Sequence, residues 1–275
     1  MGDLPMSKKK TLLLYIVLIL LAFFMLFPLV FTVALSFSDN VDIVNGNYWP
    51  HILHFENYIE AMEKANLVYY MKNSIVVAGL TTLLQVLLAL LAAYAVVFIP
   101  FKMNDLVFGI FMAGMMIPVD VLVISNFQTI RKMGMLNSYA GIILPSLVSA
   151  FGIFLMRQNM KQIPLELQEA GDVAGVGKTF FFFRVVVPLV KNSITTLAVY
   201  CFLVSWNSYL WPLIVTTEDS HRTIQIGLRQ MASSDTQTDF RLIAAATIII
   251  TLPTLILIFF GQNRLQEGLT KGALK

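Results

Sequence analysis

Six apolar stretches alternate along the chain with polar segments that hold nearly all of its charges. They run approximately over 11–36, 74–99, 106–126, 139–156, 189–211 and 242–260. A helix needs ~20 residues to cross about 30 Å of hydrocarbon, and an open strand there would leave its backbone groups unpaired. The pattern therefore predicts an all-α, polytopic membrane bundle of six transmembrane helices, with 1–275 forming a single transmembrane domain. Pro118 and Asp120 interrupt the third stretch and Pro145 the fourth. Membrane helices tolerate such breaks where neighbouring groups re-satisfy the freed carbonyls.

Lys8, Lys9 and Lys10 precede the first stretch as basic residues precede a secretory signal, but its apolar run of about 26 residues is too long. Signal cores hold roughly 7–15 residues, so the segment reads as an uncleaved anchor. Charge placement then orients the bundle, because cytoplasmic loops carry the excess of lysine and arginine. With the N-terminus inside, the inner segments hold 12 basic residues and the outer ones 7. The inner side is then net +6 and the outer side −2, with Asp120 completing the total of +3. Both termini are expected in the cytoplasm.

Composition changes the picture only by exclusion. At 57% hydrophobic and 13% charged residues, water is not the only solvent of this chain. One cysteine, Cys201, rules out an internal disulfide framework. His51, His54 and His221 have no ligand-like spacing, so no metal is expected. Neither paired acids nor a nucleophile with a base occurs within the stretches, so no catalytic residue is assigned.

The longest inner segment is 157–188. Within it, Asp172-Val-Ala-Gly-Val-Gly-Lys-Thr179 resembles a phosphate loop out of register, with an aspartate where the first glycine is required. The preceding Pro164-Leu-Glu-Leu-Gln-Glu-Ala170 also favours a helix, where a phosphate loop follows a strand. The segment predicts a short helix that starts near Pro164 and stops in Gly175-Val-Gly177, with Glu166, Glu169 and Asp172 forming an acidic stripe. From the pattern alone, this is either a solvated connector or a docking element.

These residues carry a resemblance. Glu166-Leu-Gln-Glu-Ala-Gly-Asp-Val-Ala-Gly-Val176 is similar to the signature E-L-E-E-A-A-x-x-D-G-A of permease subunits of binding-protein-dependent ABC importers, in the branch serving maltose and other carbohydrates. Glu169, Ala170 and Gly175 match, Gly171 replaces the second alanine, and Ala174 stands where an aspartate is usual. Asn73-Ser74, Ala92-Ala-Tyr-Ala95, Pro118, Gly134, Asn137, Gly141-Ile-Ile-Leu-Pro145, Pro188, Trp206-Asn207 and Pro212 follow in family order. The resemblance implies a type I importer permease whose coupling helix, Glu166, Leu167, Glu169, Ala170, Gly171, Asp172, Val173, Ala174 and Gly175, seats in an ATPase subunit. It also implies a second permease, two ATPase subunits that hold the ATP and magnesium, an extracytoplasmic solute-binding protein and a carbohydrate substrate. No cofactor is expected on this chain and no nucleic acid is implied.

Pathway candidates follow from polarity at the spans. Asp120 is the one acid inside a stretch, and either faces a water-filled path or sits near the outer interface after the Pro118 break. Trp206, Asn207, Tyr209 and Trp211, with Ser208, combine flat rings with hydrogen-bonding groups, which suits either a sugar or an interfacial aromatic belt. Ser125, Asn126, Gln85 and Ser205 are either pathway residues or partners of neighbouring helices. The competing function is a secondary transporter driven by an ion gradient.

Overall fold

A computed structural model describes residues 8–64, 66–233 and 238–270, and every regular element among them is helical. In order they are α1 (Lys8–Ser36), α2 (Asn40–Val44), α3 (Glu56–Lys64), α4 (Leu67–Phe98), α5 (Asn104–Met115), α6 (Val123–Lys132), α7 (Tyr139–Ile143) and α8 (Ala150–Met160). There follow α9 (Leu165–Val173), α10 (Lys178–Phe181), α11 (Val187–Leu189), α12 (Lys191–Trp206), α13 (Leu210–Val215), α14 (Ile224–Ser233) and α15 (Phe240–Thr270).

Three helices are long and apolar enough to cross a membrane unaided, over Lys9–Ser36, Leu67–Phe98 and Phe240–Gln262. Three bent pairs complete six spans. The third expected span, 106–126, is not one rod: α5 meets Val119–Lys132 at 89°. Pro118, which lacks an N–H and is held extended at φ −62° and ψ 129°, makes the break. Asp120 thus lies in a short 3₁₀ turn, Val119–Leu122, exposed and outside any α-helix interior. The fourth span bends by 50° between Tyr139–Ser146 and Ala150–Met160. Ser149 starts its second half, its Oγ accepting the Gly152 N–H at 3.0 Å.

The fifth expected span, 189–211, also needs correction. Its straight part ends at Trp206, and chain entering it is helical from Lys178, with a 77° bend near Val190. Pro188 supplies one missing donor there, and Phe182–Val186 widens into a π-turn. Hydropathy alone hid this helix because Arg184 divides its apolar residues.

The chain resolves into two compact units, Met1–Val68 with Leu228–Leu252, and Tyr69–Gly227 with Pro253–Lys275. In the first, none of the apolar window of α1 is buried against the rest of the chain, as expected of a helix solvated by lipid. Its end is fixed by Asn57, fully buried, whose amide donates to the carbonyls of Ser36 at 3.0 Å and Ser38 at 2.9 Å. The Asn57 Oδ1 accepts from Arg241 at 2.8 Å, and Arg241 reaches Glu60 at 3.0 Å and Asp239 at 3.2 Å. A hydrogen bond from Lys64, aided by the charge of Arg241, holds the Glu60 carboxyl below its ordinary range.

In the second unit, Asn73 ties three segments together. Its amide donates to the carbonyls of Ser220 and Arg222 at 3.1 and 2.9 Å, and its oxygen accepts the Tyr139 hydroxyl at 2.7 Å. Ser74 beside it accepts the Ile224 N–H at 2.7 Å. The core of this unit is a cluster from α4, α8 and α10–α12, centred on Ala89, Ala93, Met156, Val186 and Leu197. A β-carbon on Gly152 would lie 3.1 Å from the Ala89 side chain and 3.2 Å from that of Leu197, so three helices cross closely where any larger residue would push its neighbours by a few tenths of an ångström.

Asn57→Ala strands two carbonyls and one guanidinium N–H in a buried site. Loss of one such partner costs about 1–3 kcal/mol. The variant, purified in detergent, is expected to melt several degrees below the parent, whereas an unchanged melting temperature would deny Asn57 its anchoring role.

Candidate functional site

Two features of the second unit combine exposure or cavity with polar chemistry: the short helix α9, and a cavity among the broken spans.

The α9 helix begins directly after Pro164, whose fixed φ suits a helix entrance, and ends where Gly175 turns to φ +68°. The Gly175 N–H donates to Asp172 O at 3.1 Å and the Val176 N–H to Gly171 O at 2.9 Å, the paired closure that a left-handed residue permits. No atom lies within 4 Å of where a Gly175 β-carbon would sit, so its backbone angle, not space, requires glycine. At Gly171 a β-carbon would make ordinary contact, 3.4 Å from Phe181.

No residue of α9 is buried, and Val173 is 91% exposed. Glu166, Leu167, Glu169, Ala170 and Asp172 are thus at the surface or half in it, while the flanking Ile163 and Val176 pack onto the core cluster. Beneath them, Tyr94 meets Phe182 edge-on at 4.9 Å and Phe98 meets Phe181 at 5.6 Å. The Tyr94 hydroxyl donates to Lys178 O at 2.9 Å. The helix is therefore mounted rigidly on the end of α4. Nearby, Arg157 of α8 is buried with its guanidinium carbon 3.7 Å over the Phe108 ring and its NH2 group 3.6 Å from Asp105, joining α8 to α5.

The cavity measures about 460 Å³, inside the range of about 300–1,000 Å³ usual for small-molecule sites. It opens where two of the bent spans break, near Pro118 and Ser149, and is closed by residues 200–212 of the chain at and beyond the end of α12. Broken backbone at membrane depth is tolerated where it lines a cavity or is buried in protein. The Gln85 amide donates to the freed Ser146 carbonyl, and Trp211 Nε1 donates to Ile142 O at 3.0 Å.

The cavity brings together Asn126 and Trp211 of the residues singled out by sequence, along with Gln85, Ser205 and Ser208. It leaves out Asp120 and Ser125, both exposed, and Trp206, which is buried at 2% exposure and stacked on Phe202 at 5.6 Å. Asn207 caps α12, donating to Leu203 O at 2.8 Å, and Tyr209 precedes α13 outside the lining. Thr81 and Tyr200 line it and were missed. The signal for Thr81 was the four-residue spacing of Val77, Thr81 and Gln85 on one face of α4.

A helical membrane bundle with a cavity of mixed apolar and polar lining among broken spans suits a transport component, and the comparisons with known proteins show that class. Residues 85–271 match the family described as binding-protein-dependent transport system inner membrane component. The chain is 33% identical over 264 residues to the sn-glycerol-3-phosphate transport system permease protein UgpE of Yersinia enterocolitica, covering 93% of this chain and 94% of that protein. It is 31% identical over 255 residues to the lactose transport system permease protein LacG of Rhizobium radiobacter, covering 93% of each. A chain in the crystal structure of a bacterial ABC transporter involved in the import of the acidic polysaccharide alginate shares its fold, with a TM-score of 0.84 at 19% identity over 94% of this chain and 98% of that one. The chain belongs to the family of inner membrane components of binding-protein-dependent transport systems.

Gly175→Val forces a β-branched residue into the left-handed region, at about 1–3 kcal/mol. Amide exchange over 165–176 is expected to accelerate in that variant and to stay level or slow in Gly171→Ala, since alanine is the better helix former by about 1 kcal/mol. Equal exchange in both would remove the role given to the glycine closure.

Proposed function

We propose that this chain is one of two permease subunits forming the channel of an ATP-driven importer that carries a carbohydrate or related polyol inward by alternating access. ATP and magnesium stay on separate ATPase subunits, which grip α9, and this chain performs no hydrolysis itself. A solute-binding protein delivers the substrate from the other side. Both termini and α9 lie on the cytoplasmic side, an orientation supported by the excess of basic residues on those segments.

The observation that carries this reading is the mounting of α9. A nine-residue helix with acidic and apolar residues on an open surface suits a cleft in another protein. Its two flanks are packed into the core of the spans, so displacement of the helix must displace α4 and α12. Energetically, ATP on the ATPases and loaded binding protein on the outer face must both favour the outward-open state, because a ligand shifts an equilibrium only by its differential affinity. The cavity then serves as this subunit's share of the pathway, with Asn126 and Trp211 on its wall.

The test is reconstitution of the chain with its partner permease, ATPases and binding protein in liposomes. Loaded binding protein is expected to stimulate both ATP hydrolysis and uptake. Glu169→Lys, which reverses a charge on the gripping face, is expected to cut uptake about tenfold or more while the assembled ATPase still hydrolyses. Parental uptake in Glu169→Lys and Gly175→Val together would refute the grip, and gradient-driven uptake by this chain alone would favour a secondary transporter.

A further inference from the structure

The fold leaves several polar groups of the cavity unused. Thr81, Asn126, Tyr200, Ser205 and Ser208 face it, and their side chains make no hydrogen bond to any other described residue. Asn126, Ser205 and Ser208 are half-buried and form part of the cavity wall. A hydroxyl or amide can each donate and accept, which is the pairing a sugar hydroxyl needs. Ring faces lie beside them: Tyr200 packs on Phe151 at 4.5 Å, and Trp211, its N–H already committed to Ile142, offers only its face.

Equally informative is what the wall does not contain. None of the described lining residues is charged. The charged residue nearest to them in the chain, Asp120, lies between the lining residues Val119 and Val123 and is itself an acid. A phosphate monoester entering here would lose hydration with no guanidinium or ammonium to replace it, a penalty that buried anions escape only when paired. The relatives divide on this point, since one group carries sn-glycerol-3-phosphate and another lactose in its name.

Resting on the permease reading above, we propose that this half of the channel passes an uncharged polyhydroxy solute, a sugar or sugar alcohol, and disfavours its phosphorylated counterpart. Asn126, Ser205 and Ser208 are its hydroxyl partners, and Tyr200 and Trp211 the surfaces on which its C–H faces stack. The selectivity comes from neutral groups that match hydroxyls and from the lack of any cation to hold an anion.

Uptake by the complete reconstituted complex tests this with labelled uncharged mono- and disaccharides, including lactose, and with sn-glycerol 3-phosphate. An uncharged probe is expected to be imported with ATP, and sn-glycerol 3-phosphate not. Asn126→Ala combined with Ser205→Ala should lower that import about tenfold or more, the scale of losing hydrogen-bond partners. The same variant should still assemble with its partner subunits and melt within a few degrees of the parent. Import of sn-glycerol 3-phosphate at a comparable rate, or parental import by the double variant, would overturn the proposal. Failure of the double variant to assemble, or a large drop in its melting temperature, would also overturn it by making the two residues structural. Absence of ATP-dependent uptake of every probe would instead sink the permease reading.

Discussion

The contact between the end of α4 and the segment that follows α9 is the constraint on which the rest of the structure depends. Tyr94 and Phe98 meet Phe182 and Phe181, and the Tyr94 hydroxyl holds the Lys178 carbonyl. Ring pairs of this kind contribute about 0.5–1.5 kcal/mol each beyond their buried area. Their larger effect is geometric, because an edge-on pair fixes angle as well as distance. A short helix outside a membrane has little stability of its own. Mounted this way, between Ile163 and Val176, it becomes a handle on the spans.

That handle is joined to the cavity through the same unit. The core cluster that seats the handle also contains Ile153, Leu197 and Cys201, and Cys201 lines the cavity on its other side. Close packing at Gly152 leaves little slack between α4, α8 and α12. Packed interiors transmit displacement because they do not compress. The bends near Pro118 and Ser149 border the cavity and interrupt the rods around it, whereas the bend near Val190 lies in the core cluster, so rigidity at one end coexists with broken backbone at the other.

Much of this was legible in the sequence, and the exceptions have physical causes. Six spans follow from hydropathy because lipid imposes a length on every crossing helix. The bounds of α9 were legible because Pro164 and Gly175 mark the two ends of a helix by backbone geometry alone. Prolines flagged breaks in the third and fourth stretches, but a proline reports that a helix is interrupted, not that it turns by 89°. Trp206 and Trp211 look alike in sequence, yet the first is buried on Phe202 and the second faces the cavity. The chain redirects at Asn207 between them, and no periodicity carries across a cap. Tyr200 was hidden because a single polar group within a long apolar run does not disclose which face is wet.

The central claim is that α9 moves as one body with the spans. Spin labels at Val173 on α9 and Lys191 at the start of α12, both exposed, measure this in the assembled transporter by electron-electron distance spectroscopy. The account predicts an unchanged separation between nucleotide-free and ATP-bound states while uptake-competent complexes switch conformation. A separation that shifts by several ångströms on ATP binding would show the helix swinging on its own, and the proposed lever would not exist.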